Sequence, residues 1–366
     1  MGGKMTEEKT AGKQEGPGIV PVSEEAENLA RLRWSHVAKP LNSLGLLEEA
    51  VIRVAGIQRQ EKICIDKKAL IIMCADNGVV EEGVTQTGQE VTAVVTENFT
   101  KGLSCACMMA EQAGVRVIPV DIGVASDLDR CGNRCPLVRK KISYGTRNML
   151  KEPAMTRQET KRAIGTGIDL VRELKEQGYH LLAVGEMGIG NTTTSSAVAS
   201  VLLGIESSRL TGRGAGLSGQ GLARKKKVIE DAVAFHKPDR EDAIDVLSKV
   251  GGLDLAGLAG VCLGGAIYHI PVVLDGVITA AAALAACSLC KETAGYLIAS
   301  HVSAEPAGQM ILDRLGLKAP IQGGMCLGEG TGAMAFIPML SMAVDIYLHM
   351  STFDDIRVEE YKVFEQ

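Results

Sequence analysis

Between Leu181 and Ala199 the chain reads LLAVGEMGIGNTTTSSAVA. An apolar run from Leu181 to Val184 breaks at a turn carrying Gly185, Gly188 and Gly190, and a threonine-rich start then opens the segment SSAVASVLLG. Strand, tight turn and helix in that order form the building unit of α/β folds. The unit also leaves unpaired backbone N–H groups at the start of the helix, a ready site for an anion.

The same alternation extends over most of the chain. Strands are expected at Ala69–Ala75, Val115–Ile122, His180–Gly185, Ile270–Leu274 and Tyr296–Ser300, each apolar almost throughout. Such strands need cover on both faces, as in a parallel sheet. Helices are expected at Glu90–Ala113, Thr156–Gln177, Thr194–Leu203, Leu222–Phe235, Arg240–Leu247, Leu255–Tyr268 and Thr279–Thr293. The pattern predicts an α/β, Rossmann-like three-layer parallel sheet with a small helical domain built from both chain ends. Residues 1–20 read as a disordered tail, 21–62 plus 335–366 as the helical domain, and 63–334 as the catalytic domain. The N-terminal helical stretch stops at Pro40 and resumes with Leu44, Leu47, Val51, Val54 and Ile57 in helical spacing. Polar groups gather after the strands: Asp76-Asn77-Gly78, Asp121, Glu186, Asp275-Gly276 and His301 to Glu305. Open α/β sheets bind ligands at those strand ends.

Several function classes are excluded early. The net charge of −5 gives no electrostatic case for nucleic acid, and Arg224-Lys225-Lys226-Lys227 begins a helix as a mostly solvated face. The apolar Gly276–Cys290 stretch is 15 residues, short of the ~18 to 20 that span a bilayer, so no membrane segment is expected. MGGKMT fits a myristoylation pattern, but the polar stretch that follows reads as a loose tail. Among ten cysteines the close pairs are Cys105/Cys107, Cys131/Cys135 and Cys287/Cys290. None completes a zinc pattern, although CGNRC sits in a polar loop, so no metal and no cofactor are expected and the thiols are read as reduced in a cytoplasm.

Four glycine-bearing segments could face a ligand: 185–193, GRGAG at 212–216, LDG at 274–276 and LGEGTG at 327–332. The first nearly matches a P-loop, but Asn191 stands where that motif requires the phosphate-binding lysine. With Glu186 inside the loop, a nucleoside monophosphate fits better than a triphosphate. GRGAG follows no clear strand, and no ribose-binding acid lies at the expected distance, so a dinucleotide is not expected. With Lys225 near, it fits a single phosphate. Glu329, between glycines and beside Met325, Cys326 and Leu327, reads either as a carboxylate with a raised pKa suited to a base or as a helpful acid at a helix N-terminus.

The motifs GEMGIGNTTTSSAV, TGRGAGL with GLARKKKVI, LDGVITAAAAL, SHVSAEPAG and LGEGTGAM occur in this order. Together they resemble the nicotinate-nucleotide:dimethylbenzimidazole phosphoribosyltransferase family. KPLNSLGLLEEAVIRVAGIQ, ADNGVVEEGV, VTENFTKG, DIGV and KISYGTRNMLKEPAMT resemble it too, so the likeness spans roughly residues 38 to 345. The resemblance implies phosphoribosyl transfer from nicotinate mononucleotide to a benzimidazole-type base for the lower ligand of cobamides, by a homodimer. It puts the general base on Glu329 and the acid of the nucleotide loop on Glu186. Phosphate and ribose contacts fall on Gly188, Gly190, Asn191, Gly214, Ala215, Gly216, Lys225, Gly276 and Ser303. Base contacts fall on Thr85, Val94, Met187 and Leu327.

The chain departs from the family pattern after Glu82-Gly83-Val84. Many members carry Ser-x-aromatic-Pro and a nearby Gln there; this chain has Thr85-Gln86-Thr87-Gly88, with Val94 at the Gln position. SAEPAGQ lacks the usual His after Pro, leaving Gln309 as a substitute. These departures bear on which base is accepted. Two other readings compete: a degenerate P-loop kinase or ATPase, and a nucleotide or base sensor without turnover. The histidines, His301 included, are assigned no role.

Overall fold

The computed structural model describes residues 18–361. The myristoylation pattern, most of the expected N-terminal tail and the last five residues of the expected helical domain lie outside that range. In chain order the elements are α1 (Glu24–His36), α2 (Leu46–Gln58), β1 (Lys68–Ala75), α3 (Glu90–Lys101), α4 (Cys105–Gln112), β2 (Val115–Gly123), β3 (Val138–Arg139), α5 (Arg157–Glu176), β4 (Leu181–Met187) and α6 (Asn191–Leu203). They continue with α7 (Ser207–Leu210), α8 (Gly219–His236), α9 (Ala243–Val250), α10 (Leu253–Ile267), β5 (Val272–Leu274), α11 (Val277–Leu289), β6 (Leu297–Ala299), α12 (Ala307–Leu315), α13 (Thr331–His349) and α14 (Phe353–Ile356).

The six strands form one sheet in the order β3-β2-β1-β4-β5-β6, every neighbouring pair parallel. This is the doubly wound order, whose ligand crevice lies where the winding reverses, between β1 and β4. Side chains alternate across each strand, and both sets are buried. Ile71 and Met73 of β1 join a cluster with α5, α6, α10 and α11, while Leu70, Ile72 and Cys74 join a second cluster with α1, α2, α4 and α13. The three-layer α/β fold expected from the apolar strands is therefore the observed one.

Local chemistry sets most boundaries. Thr156 and Glu159 make a reciprocal capping box that starts α5. The stretch expected as one helix from Glu90 to Ala113 is two: Gly102 takes a left-handed turn (φ 75°), and Ser104 caps a new helix by accepting from the Cys107 N–H at 3.1 Å. Helix α6 begins at Asn191 rather than Thr194, which puts Asn191 in its first turn. The elements β3, α7 and α12 are too short to show a clear period in the sequence. Helix α13 is long and apolar enough to cross a membrane by length and composition. It packs instead against α2, α4 and β4, with Phe336, Ile337 and Leu340 fully buried.

Candidate active site

A cavity opens at the C-terminal ends of β4, β5 and β6, beside the loop that follows β1. All four glycine-bearing segments contribute to its wall: Glu186 to Thr192, Arg213 to Ala215, Asp275-Gly276 and Cys326 to Glu329. Helices α6 and α11 both start there; in the first turn of α6 the Asn191 and Thr193 N–H groups already donate to Gly188 O and Gly190 O. Of the residues named from sequence, Thr85, Glu186, Met187, Gly188, Gly190, Asn191, Gly214, Ala215, Gly276, Ser303, Leu327 and Glu329 line it.

Three of the named site residues do not line it, and each has a local reason. Lys225 is 1% exposed on α8, and its ammonium donates to Thr192 Oγ1 at 2.8 Å behind the cavity wall. Burial lowers its pKa to about 8. Gly216 lies outside the wall, its carbonyl accepting from the Gln86 amide. Val94 sits on α3 with 56% of its surface exposed and is absent from the cavity wall, whereas Thr85, Gln86 and Thr87 are present. Gln309, expected to replace a histidine, bonds Asp313 Oδ1 at 2.7 Å and is also absent from the wall.

The two glutamates are brought together by close backbone approach. A Cβ at Gly185 would stand 2.4 Å from the Glu329 carbonyl oxygen, so only glycine lets the 328–330 loop rest on β4. A Cβ at Gly328 would stand 2.5 Å from Glu186 Oε1, so that glycine leaves room for the carboxyl. Glu329 itself is held at φ 60°, a conformation that costs a non-glycine residue free energy and clusters at functional sites. Asp275 fixes the same loop: its carboxyl accepts from Gly332 N at 2.7 Å and Gly330 N at 3.1 Å. Glu329 Oε2 accepts from Ala106 N in the first turn of α4 at 3.4 Å.

Four carboxyls thus gather with little to neutralise them. Burial, then the charge of Asp254, raises Glu186 to about 8, with Asp275 and Glu329 adding to the effect. Burial raises Asp275 to about 7 and Asp254 to about 6, and it raises Glu329 as well. Among the described residues no lysine or arginine comes within ion-pair distance of any of the four; His301 Nδ1 lies 4.0 Å from Asp275 Oδ1. Burial lowers the His301 pKa, which favours a neutral ring. At neutral pH such a site holds a mixture of protonated and ionised carboxyls, able both to donate and to accept hydrogen bonds.

Sequence reasoning left several wall residues without a role. His301 and Thr192 line the cavity, and Glu305 Oε1 accepts from Gly214 N at 3.0 Å, anchoring the GRGAG turn. Asp254, fully buried at the start of α10, carries no flanking motif that would single it out. Asp121 is engaged structurally, pairing with Lys141 at 3.2 Å and capping Val124 N.

The chain matches the family model described as Phosphoribosyltransferase over residues 19–358. It is 46% identical over 337 residues to the nicotinate-nucleotide–dimethylbenzimidazole phosphoribosyltransferase of Ruminiclostridium cellulolyticum, covering 92% of this chain and 94% of that protein. Identity to the protein of the same name from Acetivibrio thermocellus is 45%, over 92% and 95% of the two chains. The crystal structure of CobT from Thermus thermophilus superposes with a TM-score of 0.86 at 37% identity, covering 92% of this chain and 99% of that one. A parallel sheet wound about a carboxyl-rich crevice, a family match over nearly all the described residues and relatives this similar lead to one conclusion: the chain belongs to this phosphoribosyltransferase family.

Proposed function

We propose that this protein transfers the phosphoribosyl group of nicotinate mononucleotide to a benzimidazole-type base, releasing nicotinate and an α-linked riboside phosphate that serves as the lower ligand of cobamides. The observation that carries this reading is the cavity's polarity. Helix N-termini and a glycine turn stand at one part of the wall, and a carboxyl cluster without lysine or arginine partners stands at another. Nicotinate mononucleotide is a phosphate joined through ribose to a pyridinium, and it matches that polarity end for end.

The chemistry then needs few groups. The bond from the anomeric carbon to the pyridinium nitrogen breaks, and its electron pair neutralises that ring nitrogen, so nicotinate leaves and no acid is required. The acceptor's ring nitrogen forms the new bond from the opposite face, which inverts a β-linked donor to an α-linked product. As it does so the acceptor sheds its N–H proton, and Glu329 takes it; a positioned carboxylate base is worth roughly 10² to 10⁴ in rate. Burial raises the basicity of Glu329. Glu186 meets the ribose. The phosphate is held by backbone N–H groups at Gly276 and Ala215 and by the Ser303 hydroxyl, with the Lys225 charge delivered through Thr192.

The reading extends to assembly and place. Exposed apolar side chains at Val94, Leu103 and Met108 of the α3–α4 region support a homodimer. Ten unpaired cysteines support a reducing, cytoplasmic setting. Within residues 21–62 and 335–366, the helices among the described residues serve as the supporting unit for a catalytic unit of 63–334. Incubating the pure protein with nicotinate mononucleotide and a panel of benzimidazoles, purines and phenols, with products identified by mass, tests the activity. Donor binding without release of nicotinate would refute it in favour of a sensor.

A further inference from the structure

The cavity wall carries four acids, Glu186, Asp275, Glu305 and Glu329, against a single lysine or arginine, Arg213. The chemistry above gives Arg213 no part. His301 is the other basic side chain on the wall, and burial lowers its pKa, which favours a neutral ring. Lys225 is closed off behind Thr192. Arg213 is therefore the one fixed positive charge that a ligand in this cavity can touch directly.

Arg213 sits on the turn between α7 and α8, which is held from several sides. Its carbonyl accepts from Leu217 N at 3.1 Å and from Gly216 N at 3.3 Å. Glu305 Oε1 holds Gly214 N, and the Gln86 amide donates to the Gly216 carbonyl. The Arg213 side chain curls over the same turn, where Nη1 donates to the Leu217 carbonyl at 2.5 Å. A guanidinium has two paired-donor faces, Nη1 with Nη2 and Nε with Nη2. The bond to Leu217 occupies Nη1. The Nε–Nη2 face has no hydrogen-bond partner among the described residues, and no carboxylate of those residues lies within ion-pair distance of it. The side chain is exposed.

A lone surface arginine is ordinarily a solvated charge. This one has its stem fixed by its own turn, its side-on fork empty and acids on the wall around it. Two residues along, Ala215 N–H has no backbone acceptor among the described residues. A Cβ on Gly214 would stand 2.9 Å from Thr192 Oγ1 and 3.5 Å from Lys225 Nζ. One short turn thus has a buried ammonium behind it and an exposed, unoccupied guanidinium fork on it. Paired planar N–H donors match two oxygens of a phosphomonoester, which a single ammonium or amide N–H cannot do.

We propose that Arg213 is a specificity-determining residue that reads the donor's phosphate through its Nε–Nη2 face, so that the protein takes the nucleotide and discriminates against the corresponding nucleoside. The fixed stem reduces the side-chain freedom lost on binding. The charge also offsets the repulsion that an anionic phosphate meets from the acids of the wall. The inference rests on the transferase reading, which supplies nicotinate mononucleotide as the donor.

The test is calorimetric binding of nicotinate mononucleotide, nicotinate riboside and nicotinamide mononucleotide to the full-length protein and to Arg213→Gln. The variant should bind both mononucleotides about tenfold or more weakly, with riboside affinity changed by less than about twofold. Added salt should weaken mononucleotide binding more steeply in the unmodified protein than in the variant. Equal salt slopes would show that the substitution merely loosens the turn and would overturn the proposal. Equal losses for mononucleotide and riboside would overturn it too. So would a loss confined to the nicotinate ligands, which would put the fork at the pyridine carboxylate. Arg209→Gln, on α7 and off the wall, makes the same change of charge and should bind all three ligands normally; an equal loss there would reduce the effect to net charge and overturn the proposal. Should Arg213→Gln fail to fold, Arg213→Lys replaces it, keeping the charge and removing the fork; unchanged mononucleotide affinity would then overturn the proposal. If the unmodified protein binds the mononucleotide yet forms no product, the transferase reading fails, while the binding comparison still judges Arg213.

Discussion

Gly185→Ala isolates the placement of Glu329 from its chemistry. The new Cβ would meet the Glu329 carbonyl oxygen at 2.4 Å, its carbonyl carbon at 2.5 Å and Gly330 N at 2.6 Å. All three are backbone atoms, so no side chain can swing aside. Ordinary contact needs ~3.4 Å or more, and the loop must therefore retreat by roughly 1 Å. Displacements of that size cost on the order of 10²-fold in rate when they move a catalytic group. Strain of this kind costs ~1 to 3 kcal/mol in stability, less than the total for a chain of this size. The expected result is a folded protein with turnover down by about two orders of magnitude and donor affinity changed little. Gly165→Ala is the control: its Cβ meets nothing within 4 Å, and alanine within α5 should leave stability equal or higher by ~0.5 to 1 kcal/mol. Turnover is read by nicotinate release, donor binding by calorimetry and folding by thermal melts. A Gly185→Ala protein within about threefold of full turnover would refute the claim that this contact sets Glu329.

Other perturbations separate the remaining roles. Glu329→Gln should lose ~10² to 10⁴ in kcat while still binding nicotinate mononucleotide in calorimetry. Lys225→Ala should weaken the donor by roughly 1.5 to 3 kcal/mol and leave the free base's affinity unchanged, because the ammonium acts through Thr192 at the phosphate side. Val94→Gln should leave the ratio of kcat/KM for dimethylbenzimidazole over adenine unchanged, since Val94 is off the wall. Thr87→Tyr, on the wall, should change that ratio by about tenfold or more. Thermal stability should fall from pH 5 to about pH 8, where the Lys225 ammonium of the folded state begins to lose its proton and opposes the trend. Glu186, Asp275 and Asp254 hold protons to about 8, 7 and 6 in the folded state, whereas unfolded carboxyls release them near ~4. The folded state therefore binds more protons across that window, and stability drops as pH rises through it; melts across the range read the effect, and Asp254→Asn should flatten it.

Much of this architecture was legible because the forces that set it are periodic or local. Unbroken apolar runs such as Leu70–Cys74 can be satisfied only inside a covered parallel sheet, and glycines after strands mark where backbones must approach. The split between α3 and α4 escaped because Cys105–Gln112 continues the helical composition, and only the Gly102 turn with its Ser104 cap interrupts it. Site residues in glycine-rich motifs were visible for the same reason that glycine is needed there. Lys225 and Val94 show the limit: helix periodicity does not say which side chain reaches a cavity and which stops behind Thr192 or turns to the surface. Glu305 escaped altogether, since its role arises from a contact with Gly214, distant in sequence.

Transfer at this cavity inverts the anomeric centre, from a β-linked donor to an α-linked product. Its most direct measurement is product identification by mass and by proton NMR of the anomeric centre, after the full-length protein is incubated with β-nicotinate mononucleotide and dimethylbenzimidazole. The expected products are equimolar nicotinate and an α-linked dimethylbenzimidazole riboside phosphate. A β-linked product, or ribose phosphate released without the base attached, would contradict it.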